Sequence, residues 1–110
     1  MEKVYVNELS NYIGKTISFS GFVDTIRDKK WVMFVILRDS TGKVQMTIEK
    51  SDEENQKLLD IMKNLSTDST LKITCEVKEN EAVKLGGIEL IPKSITVTSL
   101  ACALPFDYNN

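Results

Sequence analysis

From Thr16 to Ile26 apolar and polar positions take turns: Ile17, Phe19, Gly21 and Val23 fall on one side, and Thr16, Ser18, Ser20, Phe22 and Asp24 on the other. A period of two is that of a strand covering a core with one face. It leaves Phe22 as an aromatic on the opposite face. Lys43 to Glu49 repeats the pattern, with Val44, Met46 and Ile48 on one side and Gln45, Thr47 and Glu49 on the other. Between these runs Trp31 to Leu37 is apolar almost throughout, and Asp39-Ser40-Thr41-Gly42 supplies turn residues, so the second and third runs form a hairpin. The period becomes helical from Asp52 to Leu65, where Leu58, Leu59, Ile61, Met62 and Leu65 follow an acidic first turn. Two further strand runs, Leu71 to Val77 and Ile88 to Val97, are joined by a loop containing Gly86-Gly87. Ahead of all of them VYVNELSNYIG reads as a short opening helix, capped by Asn7 and ended by Gly14.

Three strands, a helix and two strands make an all-β domain with one or two helices. The order matches the five-stranded OB-fold barrel, with a helix between strands 3 and 4 and a short N-terminal helix. That fold presents its second and third strands to oligonucleotides. Arg27, Phe34 and Gln45 lie on or beside those strands, and a cationic fork, a flat ring and an amide suit the stacking and edge-reading of an unpaired RNA base. Strand parity places Val32, Phe34, Ile36 and Arg38 together and Trp31, Met33, Val35 and Leu37 opposite. Neither face is cleanly polar, so parity leaves Phe34 open between core and ligand. Trp31 could stack beside the loop, but a single tryptophan in a small barrel reads as structural.

A chain of 110 residues with 42% hydrophobic content suits one modest core. With no apolar run long enough to span a membrane and no secretory signal in MEKVYVNEL, the expectation is a cytoplasmic protein without a membrane partner. Two distant cysteines, Cys75 and Cys102, and no histidine exclude a zinc site or a Cys-His nucleophile and read as reduced, mostly buried thiols. The net charge of −2 argues against a protein that coats nucleic acid nonspecifically. Yet Lys15 to Lys50 holds seven basic residues against four acidic ones, a local net of +3. Part of the acidic excess sits in Ser51-Asp52-Glu53-Glu54, where carboxylates favour a helix's first turn.

The motifs narrow the class. Gly21-Phe22-Val23 opens the first match, Arg27-Asp28 is followed six residues after the aspartate by Phe34, Leu37-Arg38-Asp39 ends the next strand, and Gly42, Val44 and Gln45 begin the third. Further on come LGGIELIPKSI, Leu85 to Ile95, and LPFD, Leu104 to Asp107. Together they resemble the anticodon-binding domain of class IIb aminoacyl-tRNA synthetases of the aspartyl and asparaginyl type. The resemblance implies that Phe34 stacks on the middle anticodon base, the uridine shared by aspartate and asparagine tRNAs, and that Gln45 bonds its edge. Arg27 would contact the same base or a neighbouring phosphate; its plainer reading is a solvated arginine, or an ion pair with Asp28 or Asp39. Glu89 would read the third base, where a carboxylate accepts from a cytosine amino group and so leans toward an aspartate tRNA; its plainer reading is an exposed strand carboxylate. Lys29 and Lys30 depart from the glycines common at this turn, leaving the first anticodon base's contacts open; they bind phosphate or solvate a loop. Lys84 is a candidate backbone contact.

The resemblance also implies an anticodon-binding domain over 1–104 and the start of a hinge over 105–110, leading to a catalytic domain absent from this chain. No class II catalytic motif is present, so the expectation is no catalytic residue, no metal site and no cofactor in this domain, ATP and Mg belonging to the catalytic domain. The partner implied is the anticodon loop of tRNA(Asp) or tRNA(Asn), bound by a monomeric domain whose parent is a homodimer. The hinge-like ending favours an excised domain over a free-standing paralogue. Two other readings are a generic single-stranded nucleic-acid module of the same fold and a protein-interaction adaptor.

Overall fold

In a computed structural model, which describes residues 4–84 and 86–99, five strands close into a barrel. They are β1 (Thr16–Asp28), β2 (Val32–Asp39), β3 (Gly42–Glu49), β4 (Thr70–Glu79) and β5 (Ile88–Ser99), joined in the order β1-β2-β3-β5-β4. All neighbours are antiparallel except β3 and β5, which meet in a short parallel contact at Gln45↔Glu89 and Met46↔Leu90. The expected hinge at 105–110, the end of the domain at Leu104 and the expected buried thiol of Cys102 lie outside the described residues.

β1 serves two neighbours because it is long and bent. Its first half pairs with β4 and its second with β2, and the register shifts between Val23 and Thr25. The extra residue, Asp24, is a bulge, the usual device for turning a strand around a barrel corner. Toward the segment before β4 the backbone is held by Val23 N–H to the Ser69 carbonyl (2.8 Å) and Asp68 N–H to the Val23 carbonyl (2.7 Å). The bulge swaps the faces beyond it. Without it, Arg27 would share Val23's inward side; with it, Ile26 packs against the core and Arg27 pairs across from Phe34 on the outside. Gly21 permits the close approach at this corner, since a Cβ there would meet the Arg38 carbonyl at 2.7 Å and the Phe19 ring at 2.9 Å.

The inward positions read from periodicity, Ile17, Phe19 and Val23 of β1 and Val44, Met46 and Ile48 of β3, are all buried; β2, whose parity left both faces open, buries Met33, Val35 and Leu37, and Leu71, Ile73, Val77 and Leu90 join them from β4 and β5. Each such fully buried large side chain contributes roughly 1.5–3 kcal/mol. Cys75 lies among them as a free thiol, and burial pushes its pKa up to about 12, so it is inert while the barrel is closed.

Two caps sit at opposite ends of β3. At the Gly42 end, Val6–Tyr12 forms a 3-10 helix rather than an α-helix, with Tyr5, not Asn7, at its N-cap. The β2–β3 turn decides this by claiming the first donors: Val6 N–H goes to Asp39 Oδ2 (2.9 Å) and Asn7 N–H to Thr41 Oγ1 (3.1 Å), while Tyr5 N–H goes to Glu8 Oε1 (3.0 Å). At the Glu49 end the expected helix over Asp52 to Leu65 is shorter. Glu53–Asn55 is a 3-10 turn, capped by Asp52 accepting from Glu54 N–H at 2.9 Å, and α1 (Gln56–Lys63) follows. The Asn55 and Gln56 side chains donate to the carbonyls of Glu49 and Lys50, fastening this segment to β3, and Leu58, Leu59 and Met62 close the barrel end. Among the described residues no helix is long and apolar enough to cross a membrane.

Candidate nucleic-acid interface

Register brings four of the expected residues onto one outer face. Arg27 of β1 lies across from Phe34 of β2, which lies across from Thr47 of β3; Gln45, two residues from Thr47 on the same face, lies across from Glu89 of β5. Phe34, open by parity, is on the outer face and half-buried, since Met33 and Val35 take the inner one.

A directed hydrogen-bond chain crosses this face. Gln45 Nε2 donates to Thr47 Oγ1 (3.2 Å), and the Thr47 hydroxyl donates to Glu89 Oε1 (2.8 Å). Asn80 Nδ2 donates to Glu89 Oε2 (3.1 Å), so both carboxylate oxygens are oriented. Each oxygen has a second lone pair to offer, and Gln45 keeps its carbonyl oxygen and its other amide hydrogen. The face therefore offers a base a ring to stack on, an amide able to donate and accept beside it, and a carboxylate acceptor one strand further. Thr47 and Asn80 were not singled out in the sequence. Thr47 could have been found, standing two residues from Gln45 on one strand face. Asn80 reaches Glu89 through the β4–β5 loop, where its N–H also bonds the Gly87 carbonyl at 2.8 Å.

The charges around the face are sorted. Asp28 pairs with Lys50, and Asp24 pairs with Arg38 (3.3 Å) and Lys43 (3.4 Å). A hydrogen bond from Thr25, with Lys43 and Arg38 nearby, holds the Asp24 carboxyl below its usual range despite some desolvation. Asp39 is also held low: desolvation pushes it up, but hydrogen bonds from the Thr41 hydroxyl and from the Val6, Thr41 and Gly42 N–H groups outweigh that. Both partners considered for Arg27 are thus engaged elsewhere. No carboxylate among the described residues pairs with Arg27, Lys29 or Lys30, which are all exposed.

Lys29 and Lys30 are exposed at the β1–β2 tip that follows Arg27, and Lys84 is exposed in the β4–β5 loop that leads into Glu89. Trp31 is not structural: it is 68% exposed at the same tip, with Lys30 Nζ 5.2 Å from its ring centre. An open groove of about 690 Å³ begins at Thr47 and is lined by Glu49, Asp52, Glu53 and Glu54 with Lys57 and Lys93. Its acidic wall repels phosphate and bounds the face. Among the described residues no group of acidic or cysteine side chains could hold a metal ion.

Residues 17–98 match the family model of the tRNA anti-codon type, described as an OB-fold nucleic acid binding domain. The chain belongs to that family. The aspartate–tRNA(Asp/Asn) ligase of Hydrogenobaculum sp. (strain Y04AAS1) is 34% identical over 102 residues, covering 87% of this chain and 17% of the ligase. Asparaginyl-tRNA synthetase from Pyrococcus horikoshii, solved with asparaginyl-adenylate, superposes with a TM-score of 0.81 at 28% identity over 96% of this chain and 24% of the synthetase. An OBody bound to hen egg-white lysozyme, 20% identical with a TM-score of 0.81, covers 92% of this chain and 98% of its own, and attests the fold alone. The chain thus spans between about a sixth and about a fifth of the length of the ligases that it matches, and the matched part is the anticodon-binding domain.

Proposed function

We propose that this domain binds the anticodon loop of tRNA(Asp), and of tRNA(Asn) more weakly, as the tRNA-selecting part of a cytoplasmic aspartyl-type synthetase. Phe34 stacks on the middle uridine, Gln45 reads its edge and Arg27 braces the same nucleotide. Glu89 accepts from the amino group of a third-position cytosine, and Lys29, Lys30 and Lys84 meet the backbone. Aminoacylation, with its ATP and Mg, belongs to a catalytic domain of such a synthetase, and dimerisation to the parent rather than to this domain. The observation that carries this reading is the Gln45–Thr47–Glu89 chain beside Phe34, because it orients two edge-reading groups next to one stacking ring.

The test is affinity at low salt for labelled anticodon hairpins carrying GUC, GUU and an unrelated GAA. GUC should bind tightest, GUU less well and GAA weakly, with Gln45→Ala narrowing the gap to GAA. Equal affinity for all three would favour a generic single-strand module. Salt must be kept low because phosphate contacts weaken steeply with ionic strength.

A further inference from the structure

Trp31 is the most exposed large apolar side chain among the described residues, at 68%. An indole left in water forgoes the burial that keeps most tryptophans largely inside. Its setting is held in place: Lys50 N–H donates to the Trp31 carbonyl at 2.9 Å, and Lys30 Nζ lies 5.2 Å from the ring centre on one face. Lys50 also neutralises Asp28, so the tip presents Lys29 and Lys30 as cations with no carboxylate paired to them among the described residues. A flat ring with one face carrying an ammonium and the rest in solvent is a stacking platform with phosphate contacts built in.

Its place in the register points to what it holds. Gln45 pairs across from Ile36, two residues beyond Phe34 along β2, whereas Trp31 comes three residues before Phe34. Phe34 therefore lies between Trp31 and the Gln45–Glu89 pair. From Trp31, in the bend just before β2, to Phe34 the chain can reach up to roughly 10 Å, against a rise of about 3.4 Å between stacked bases in one strand. Two rings so far apart hold bases splayed from one another, as single-stranded RNA is read. Resting on the anticodon reading above, in which Phe34 takes the middle base and Glu89 the third, we infer that Trp31 stacks on the first anticodon base, with Lys29 and Lys30 on the flanking phosphates. The two lysines and the tryptophan at this turn are then a first-base site rather than a solvated loop.

Trp31 is the only tryptophan of the chain, so its emission reports this contact directly. The protein is titrated at low salt with the GUC anticodon hairpin and with the same hairpin made abasic at the first anticodon position. Affinities come from the anisotropy of labelled RNA. The GUC hairpin should change Trp31 emission in step with binding; the abasic hairpin should bind about tenfold more weakly and leave emission unchanged. Trp31→Ala should bring the GUC hairpin down to the abasic one and make the two equal, and Trp31→Phe should restore part of the difference. Binding that depends on Phe34, with no emission change and no effect of Trp31→Ala, overturns the first-base site and leaves the anticodon reading standing. Binding absent, or indifferent to Phe34→Ala, overturns both.

Discussion

The β1–β2 ribbon carries the same pair of residue types twice on its outer face. Near the tip Arg27 lies across from Phe34; toward the other end Phe22 lies across from Arg38. In the second pair the arginine is already engaged, although the Phe22 ring itself is exposed. Arg38 stands 4.9 Å from the centre of the Phe22 ring, pairs with Asp24 at 3.3 Å, and also bonds Asp68. Among the described residues nothing comparable closes the first pair, whose neighbours are the Gln45–Thr47–Glu89 chain on one side and the cationic tip on the other. An arginine and a phenylalanine are therefore not a site in themselves. The carboxylates around them decide: Asp24 and Asp68 turn one pair into a clasp between β1, β2 and the loop before β4, while Asp28 is drawn off by Lys50 and leaves the other pair open.

The sharpest way to break this comparison is to remove the two rings in turn. Phe34→Ala should weaken binding of the GUC hairpin by about 10–100-fold, since base–aromatic stacking is worth ~1–3 kcal/mol, and should leave the thermal midpoint nearly unchanged. Phe22→Ala should do the reverse, lowering the midpoint with affinity intact. The arginines extend the test. Arg38→Ala loses two partly exposed ion pairs and a cation–π contact, together about 1–2 kcal/mol, which is roughly 4–12 °C in a domain of this size; hairpin affinity should not move. Arg27→Ala should keep the midpoint and reduce the salt dependence of binding by about 0.7 in slope, one single-strand phosphate contact.

A subtler substitution probes the hydrogen-bond chain. Thr47→Val keeps the shape and removes the hydroxyl, leaving Glu89 Oε1 without its donor. Competition between the GUC and GUU hairpins should then show third-base preference falling by several-fold, within the ~1–3 kcal/mol that one well-made base contact can carry. A variant that discriminated as well as the parent would show that Thr47 is packing and not orientation.

The smallest effect expected is in acid, at the closed end of the ribbon. Asp39 has a folded pKa below its ordinary value, so its hydrogen bonds contribute stability that is full above the ordinary carboxylate range near 4 and is lost as pH falls through the lower folded value. Asp39→Asn should flatten this acid limb in thermal melts taken from pH 6 downward, and leave hairpin binding at neutral pH unchanged.

What the sequence made legible follows from periodicity. The inward sets Ile17-Phe19-Val23 and Val44-Met46-Ile48 are read from a period of two, and the acidic turn at Asp52 to Glu54 from carboxylates ahead of a helical repeat. The bulge at Asp24 was not legible, because one extra residue leaves no mark on an apolar count, yet it alone puts Arg27 on the outside. Phe34's side needed the tertiary pairing, since both faces of β2 are apolar. The 3-10 start at Val6 depends on donors claimed from 33 and 34 residues away by Asp39 and Thr41. Trp31 was misjudged because a residue one place before a strand is not bound by that strand's parity, and at the tip it lies outside the barrel wall.

The measurement that bears most directly on the open end of the ribbon is an NMR titration of the domain with the GUC hairpin at low salt. Chemical-shift changes should concentrate at Arg27, Phe34, Gln45, Thr47 and Glu89, saturate together, and spare Phe22 and Arg38. Changes centred on the Phe22–Arg38 clasp, or spread alike over both ends and matched by the GAA hairpin, would contradict the assignment of this face to the anticodon.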